Sequence, residues 1–88
     1  MVEFESRIKN KIGMHLRAAG EFVKLATKFA SEITVMKNNK KANGKSILGL
    51  ASLALGPGST VTIIINGDDE VEAREAIEKL IDDKFYEE

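Results

Sequence analysis

The sequence is poor in the residue types that build covalent cross-links, metal sites and nucleophilic centres. Its 88 residues include no cysteine, no tryptophan, one proline and one histidine, His15. Without cysteine the chain forms neither a disulfide framework nor a thiolate metal site, and a single histidine cannot build a histidine-rich metal site. We therefore expect no metal and no cofactor. Any chemistry that needs an imidazole must use His15.

An excess of one charge and a long apolar run are also missing. The 13 Lys and Arg residues nearly balance the 14 Asp and Glu residues, which disfavours a protein that binds nucleic-acid phosphates. No apolar run approaches the ~20 residues that span a bilayer. The first residues, MVEFESRIKN, are partly acidic where a signal peptide is basic. We therefore predict one domain, residues 1–88, that is cytoplasmic and binds neither nucleic acid nor membrane. We also predict a monomer.

The hydrophobic pattern that is present alternates between strand and helix periods. Apolar residues recur at every second position in strands and at every third or fourth position in amphipathic helices. On this basis we predict strands at 2–8, 33–35, 40–43 and 60–65, and helices at 19–30, 46–55 and 73–81. The order β-α-β-β-α-β-α predicts an α+β fold. We expect a two-layer open-faced sandwich, whose four-stranded antiparallel sheet is covered on one face by three helices.

Local signals predict the ends of these elements. Asn38-Asn39 suits a tight turn, and Ser46 suits the N-cap of the short helix. Asp69 with Glu72 resembles a capping box at the start of the last helix. The acidic residues that follow this helix are interpreted as a solvated end: Asp82, Asp83, Glu87 and Glu88.

His15 is predicted to lie where a loop ends and the first helix begins. A helix N-terminus carries partial positive charge and free N–H groups, here those of Leu16, Arg17 and Ala18, so it favours anions such as phosphate. The same field favours a neutral, nucleophilic imidazole. The guanidinium of Arg17 suits the same anion. The alternative is that His15 only caps the helix and that Arg17 is an ordinary surface charge.

Several motifs along the chain together resemble one family. They are Gly13-Met14-His15-Leu16-Arg17, Phe22-Val23, residues 31–35 (SEITV), Lys45-Ser46-Ile47 and Ser52-Leu53. In this order and at this length the chain resembles HPr, the histidine-containing phosphocarrier family of the bacterial phosphoenolpyruvate:sugar phosphotransferase system. The resemblance implies a carrier rather than a stand-alone enzyme. It also implies that Nδ1 of His15 takes a phosphoryl group from enzyme I, with Arg17 as phosphate partner, and hands it to IIA domains of sugar permeases.

Two positions inside the motif depart from the family pattern Gly-Leu-His-Ala-Arg-Pro-Ala. This chain has Leu16 in place of a small residue and Ala18 in place of proline. Ala18 keeps an N–H that proline lacks, and this group either stays unpaired or helps to bind the anion. Since neither change touches the imidazole or the guanidinium, we expect phosphotransfer to persist. The alternative is a regulatory paralogue that signals through phosphorylation of His15 or Ser46 without feeding sugar transport.

Ser46 has two interpretations that are compatible with each other. As an N-cap it satisfies free N–H groups of the short helix. The resemblance implies, in addition, phosphorylation by an ATP-dependent HPr kinase/phosphorylase, with a transcriptional regulator as a further partner. A phosphate at a helix N-terminus is structurally tolerated. Its charge would oppose an acidic partner face on enzyme I.

The short helix has more apolar residues than one face can bury. Some of these residues are therefore expected to be exposed near His15. The alternative is that all of them belong to the core. The resemblance implies a partner-binding patch made of Gly20, Lys24, Thr27, Ile47, Leu48 and Ala51. Gly20 favours it, because glycine inside a helix costs about 1 kcal/mol relative to alanine and is explained by a close approach.

A function of another class is a non-catalytic binding module, for instance one that binds RNA on a similar sheet. Such a module needs exposed aromatic residues on its central strands. Only Phe4 and Tyr86 are candidates, and the net charge of −1 does not favour it.

Overall fold

Strands and helices follow one another along the chain in the predicted order. The structure, a computed structural model, describes residues 1–87. The strands are β1 (Val2–Arg7), β2 (Glu32–Lys37), β3 (Lys40–Asn43) and β4 (Thr60–Asn66). The helices are α1 (Leu16–Ala26), α2 (Ile47–Ser52) and α3 (Glu70–Asp82). Within these residues no helix has the length and apolar character needed to cross a membrane.

The four strands form one antiparallel sheet in the order β1-β4-β2-β3. The pairing register aligns Phe4, Ile63, Val35 and Ala42 in one row across the sheet. All four are buried, whereas the next row, which faces the other way, begins at Glu3 and ends at Asn43, both exposed. Because side chains alternate between faces, this register puts the apolar set on the side of the helices.

The three helices cover that apolar face. Phe22 of α1, Leu50 of α2 and Ile77 of α3 are fully buried in a single cluster with the sheet residues. No helix of residues 1–87 packs on the other face of the sheet. The predicted α+β open-faced sandwich is therefore confirmed.

The first helix ends earlier than its apolar periodicity predicts. It stops at Ala26, with Thr27 as C-cap, although the pattern continues to Ala30. The carboxylate of Asp69 accepts hydrogen bonds from the backbone N–H groups of Ala30 and Ser31, at 2.8 and 3.0 Å. These contacts hold the chain in the turn that leads to β2, so periodicity alone overestimates the helix.

The same contacts show that the predicted capping box at Asp69 and Glu72 is wrong. Asp69 precedes α3, but its side chain makes no bond to the helix end. It instead accepts the hydroxyl hydrogen of Ser31. The pKa of the Asp69 carboxyl is lowered below its usual value. The bond from Ser31 is the largest cause, and the bond from the Ala30 backbone N–H is the second. Glu70, not Glu72, accepts from a backbone N–H of the turn, that of Gly67 at 3.1 Å.

The segment after α3 also differs from the predicted solvated end. Lys84, Phe85 and Tyr86 adopt positive φ angles of 57°, 56° and 64° and form a left-handed turn. Phe85 is buried in the core, and the chain then folds back over the start of α1, where Glu87 makes contacts. Asp82 and Asp83 are exposed as expected. Glu88 lies outside the described residues.

Candidate functional site

His15 is the N-cap of α1, at the position that the sequence predicts. Its backbone is extended, and its carbonyl accepts from the N–H of Ala19 at 2.8 Å. The backbone N–H of Arg17 donates to Nδ1 of the ring, 3.2 Å away. The side chain is 28% exposed. The ring is thus held against the helix N-terminus by Nδ1 and stays accessible to another molecule.

The loop before His15 is fixed by a glycine. Gly13 has a φ of 82°, a left-handed conformation that side-chain-bearing residues rarely adopt. A Cβ at this position would overlap the carbonyl oxygen of Leu55. That carbonyl accepts the N–H of Met14 at 2.7 Å, and the Met14 side chain is buried. The loop is therefore anchored to residue 55 immediately before the histidine.

Glu87 is the residue at the site that the sequence reasoning missed. Its Oε2 lies 2.8 Å from Nε2 of His15 and 3.5 Å from Nη2 of Arg17. The Glu87 side chain is only 11% exposed. Arg17 itself is largely exposed, with its guanidinium held beside the imidazole through this shared carboxylate. The side chains of His15 and Arg17 therefore contact the same carboxylate, and their predicted roles toward a phosphoryl group stay predictions.

Asn10 is the second missed residue. It is fully buried in the loop after β1, and its Nδ2 donates to Oε1 of Glu87 at 2.9 Å and to the carbonyl of Gly13 at 2.7 Å. The bond from Asn10 lowers the pKa of the Glu87 carboxyl; desolvation opposes this, and the bond from His15 lowers it further. The one available signal was the aromatic pair Phe85-Tyr86 among charged residues, which predicts an anchored segment.

The predicted phosphate-binding backbone is only partly at the surface. Leu16 and Arg17 are exposed, whereas Ala18 is fully buried. The N–H of Arg17 is occupied by Nδ1 of His15. An anion attached to Nδ1 would replace that contact and find the N–H of Arg17 beside it.

Ser46 is the N-cap of α2, and its Oγ accepts from the N–H of Gly49 at 3.0 Å. The structural interpretation of this serine is therefore correct. Its phosphorylation stays a prediction. Ser46 as a residue is of intermediate exposure.

The predicted patch residues lie on α1 and α2, which pack against each other. Leu48 is 77% exposed and Ile47 is also exposed, while Leu50, Leu53 and Leu55 of the same segment are buried. Lys24 and Thr27 are exposed; Gly20 and Ala51 are partly so. At Gly20 an added Cβ meets nothing within 4 Å beyond the helix backbone and its neighbours. Close packing within the described chain therefore does not explain this glycine.

The site combines a nucleophilic ring nitrogen, helix N–H groups and a guanidinium, a set suited to transient attachment of a phosphoryl group. A family model described as "PTS HPr component phosphorylation site" matches residues 2–83. The chain belongs to the HPr family.

Relatives agree with this assignment over nearly the whole chain. The HPr-like protein Crh of Halalkalibacterium halodurans is 52% identical over 77 residues, 88% of this chain and 92% of its own. The phosphocarrier protein HPr of Cupriavidus necator is 40% identical over 99% and 98% of the two chains. The crystal structure of HPr-C-His from Thermoanaerobacter tengcongensis has a TM-score of 0.95 at 50% identity and covers 100% of this chain and 99% of its own.

Membership of the HPr family makes this chain a phosphocarrier of the phosphotransferase system. It implies partners of that system, such as enzyme I and IIA components. The predicted monomer stays a prediction, because assembly varies among similar proteins. Crh of Bacillus subtilis, 39% identical with a TM-score of 0.76 over 96% of this chain and 97% of its own, crystallised as a dimer with a swapped domain.

Proposed function

We propose that Nδ1 of His15 accepts a phosphoryl group from phosphorylated enzyme I and passes it to a IIA domain of a sugar permease. In the first step the Nδ1 lone pair attacks phosphorus. The bond from Nδ1 to phosphorus forms as the bond from phosphorus to the donor breaks. In the second step an acceptor group of the IIA domain takes the phosphoryl group, and the imidazole is regenerated.

The observation that carries this proposal is the orientation of the His15 ring. Nε2 is occupied by Glu87 at 2.8 Å, whereas Nδ1 contacts, among residues 1–87, only the backbone N–H of Arg17, at 3.2 Å. Nδ1 is therefore the ring nitrogen that a donor can reach. A phosphoryl group there would lie at the N-terminus of α1, where free N–H groups and the helix dipole stabilise negative charge.

The test of the carrier proposal is phosphoryl uptake by the purified protein. Incubation with phosphoenolpyruvate and enzyme I should attach one acid-labile, base-stable phosphate. The His15→Ala variant should take up none. No uptake by the wild-type chain, or equal uptake by the variant, contradicts the proposal.

For Arg17 we propose contact with the transferred phosphoryl group. Its Nη2 lies 3.5 Å from the Glu87 carboxylate that also contacts the ring, and the Arg17 side chain is 70% exposed. Guanidinium binds phosphate through two parallel bonds, which a lysine ammonium cannot reproduce. Arg17→Lys should therefore accept phosphate more slowly although the charge is kept. An unchanged rate would remove Arg17 from this role.

For Ser46 we propose regulatory phosphorylation by an HPr kinase/phosphorylase. The Oγ lies at the N-terminus of α2, where it accepts a hydrogen bond from the Gly49 N–H. Negative charge of a phosphate is tolerated at such a helix end. Incubation with ATP and this kinase should give an acid-stable phosphate on the wild-type chain. Ser46→Ala should stay unmodified. Acid-stable phosphate on the Ser46→Ala variant would place the modification elsewhere.

We propose that enzyme I and the IIA domain contact one surface of this protein. Its residues are Gly20, Lys24, Thr27, Ile47, Leu48 and Ala51. Leu48 offers the clearest test because it is 77% exposed, so replacing it leaves the core intact. Leu48→Asp should raise the KM of enzyme I for this protein as its substrate, without changing the midpoint of unfolding. Val71→Asp, at an exposed apolar residue of α3, is the matched control and should leave that KM unchanged. Equal effects of the two variants would argue against the surface.

A regulatory paralogue is the second candidate, and the 52% identity to an HPr-like protein Crh favours it. Such a protein would be phosphorylated at His15 or Ser46 but would not transfer the group to a IIA domain. Chasing labelled phospho-His15 with purified IIA domains separates the two. Transfer of the label supports the carrier. Retention of the label, with Ser46 modified by the kinase, supports the paralogue.

A further inference from the structure

The contacts of Glu87 depend on an unfavourable backbone turn. Three consecutive residues, Lys84 to Tyr86, have positive φ although none is glycine. Such conformations persist only where surrounding contacts enforce them, and they concentrate at functional sites. Here the enforcing contacts are the burial of Phe85 and the two hydrogen bonds of Glu87. The turn therefore delivers one carboxylate to the imidazole, 72 positions away in sequence.

Asn10 is placed to hold that carboxylate. Its Nδ2 donates to both Glu87 and the Gly13 carbonyl, while its Oδ1 is buried without a hydrogen-bond partner among residues 1–87. The reverse amide orientation would face oxygen to both acceptors, so the donating orientation is required. A buried amide with an unpaired oxygen is unfavourable for stability. The buried Asn10 amide is explained by the position that its Nδ2 gives the Glu87 carboxylate.

An ionised carboxylate only accepts hydrogen bonds, so the contact of 2.8 Å requires the hydrogen of His15 to be on Nε2. In the neutral ring this leaves the lone pair on Nδ1, which accepts from the Arg17 N–H. The same carboxylate stabilises positive charge on the ring when Nδ1 forms a bond to phosphorus. Because Glu87 contacts the opposite nitrogen of the ring, the carboxylate does not block Nδ1, whose one contact among the described residues is the Arg17 N–H.

We propose that Glu87, held by the buried Asn10, is a positioning residue that keeps His15 in the tautomer with hydrogen on Nε2 and the lone pair on Nδ1. The inference rests on the proposed phosphorylation of Nδ1 for its functional consequence. Its structural part concerns the free protein only. The two parts are therefore tested by separate measurements.

The structural part is tested by the ¹⁵N chemical shifts of the His15 ring in alkaline buffer, which report which nitrogen carries the hydrogen. The wild-type ring should show the Nε2–H form alone. Glu87→Gln should show a measurable share of the Nδ1–H form, and Glu87→Asp should restore part of the wild-type signature. Glu75→Gln, which removes an exposed glutamate of α3 without described side-chain bonds, is the charge control and should match wild type.

The functional part is tested by the rate of phosphoryl acceptance from enzyme I. Glu87→Gln should lower kcat about tenfold, as misplacement of a reacting group does, with a smaller change in KM. Asn10→Ala should act in the same direction. If this buried substitution prevents folding, Glu87→Gln at a partly exposed position decides the question. Glu75→Gln should keep the wild-type rate.

The outcomes separate this inference from the carrier proposal. If wild type takes up no phosphate, the carrier proposal fails, while the ring signature still tests the role of Glu87 in orienting the imidazole. If wild type is active, the inference is overturned in three cases. These are an unchanged ring signature in Glu87→Gln, an unchanged rate in that variant, or an equal loss of rate in Glu75→Gln.

Discussion

Gly20→Ala is expected to stabilise the free protein. Gly20 lies in the interior of α1, has an ordinary helical conformation, and has open space where a Cβ would be added. Alanine loses less backbone entropy than glycine in a helix, which raises the free energy of unfolding by about 1 kcal/mol. For a chain of this size that gain corresponds to a rise of about 4–8 °C in Tm. In urea it corresponds to a shift of roughly 0.3–1 M in the midpoint.

The matched variant is Gly13→Ala, the same chemical change at a position with the opposite environment. A φ of 82° with a Cβ costs about 1–2 kcal/mol. The overlap with the Leu55 carbonyl would break its 2.7 Å bond to the N–H of Met14, which costs about 1–3 kcal/mol for buried groups. We therefore expect a loss of about 2–5 kcal/mol in the free energy of unfolding.

Urea denaturation followed by far-UV circular dichroism measures both variants. A Gly20→Ala midpoint at or below that of wild type would refute the open space at this position. A Gly13→Ala midpoint equal to wild type would refute the rigid loop before His15. If a partner approaches Gly20 closely, the stabilised Gly20→Ala variant should also show a raised KM for enzyme I, which separates stability from binding.

Four further substitutions, at three positions, test the N-cap of α2, the turn after α3 and the turn that leads to β2. Ser46→Ala should lower the free energy of unfolding by about 1 kcal/mol through loss of its bond to Gly49, and Ser46→Asp should recover most of it; equal urea midpoints would contradict the cap. Phe85→Ala should cost about 3–5 kcal/mol, as buried phenylalanines do, and an unchanged Tm would show that the turn is not anchored in the core. The Ser31 hydroxyl lowers the pKa of Asp69 below 3.8, so ionised Asp69 stabilises the fold above that value and this contribution is lost as the pH falls through the lower folded-state pKa. Asp69→Asn should therefore show a shallower loss of Tm towards acidic pH than wild type, and identical slopes would contradict the assignment.

The fold was predictable to the extent that it follows from local pattern. The TVTIII run of β4 and the apolar spacing from Ala19 to Ala26 identify buried faces directly, because strand and helix periods differ. Patterns of two residues were less informative. Asp69 and Glu72 have capping-box spacing, yet the backbone turn at Ala30 and Ser31 offers Asp69 stronger partners, and nothing local reveals that competition.

In the candidate site, too, local sequence predicted some residues and not others. His15 at a helix start and Arg17 two residues later are neighbours in sequence, so their proximity follows from helix geometry. Ser46 as an N-cap follows for the same reason. Gly20 as a partner contact stays a prediction: its surroundings in the described chain are open, so the close approach that would explain this glycine has to come from another molecule.

By itself the sequence determined the order of elements, the apolar face of the sheet and the position of the only histidine at a helix N-terminus. These depend on short-range periodicity and on caps formed within three or four residues. Only the tertiary structure decided that Asn10, His15 and Glu87 meet. Their contacts join residues up to 77 positions apart and require a left-handed turn that no repeating pattern encodes. Phe85 packs into the core and holds that turn in place. The acidic segment that resembles a solvated tail therefore contacts His15 through Glu87.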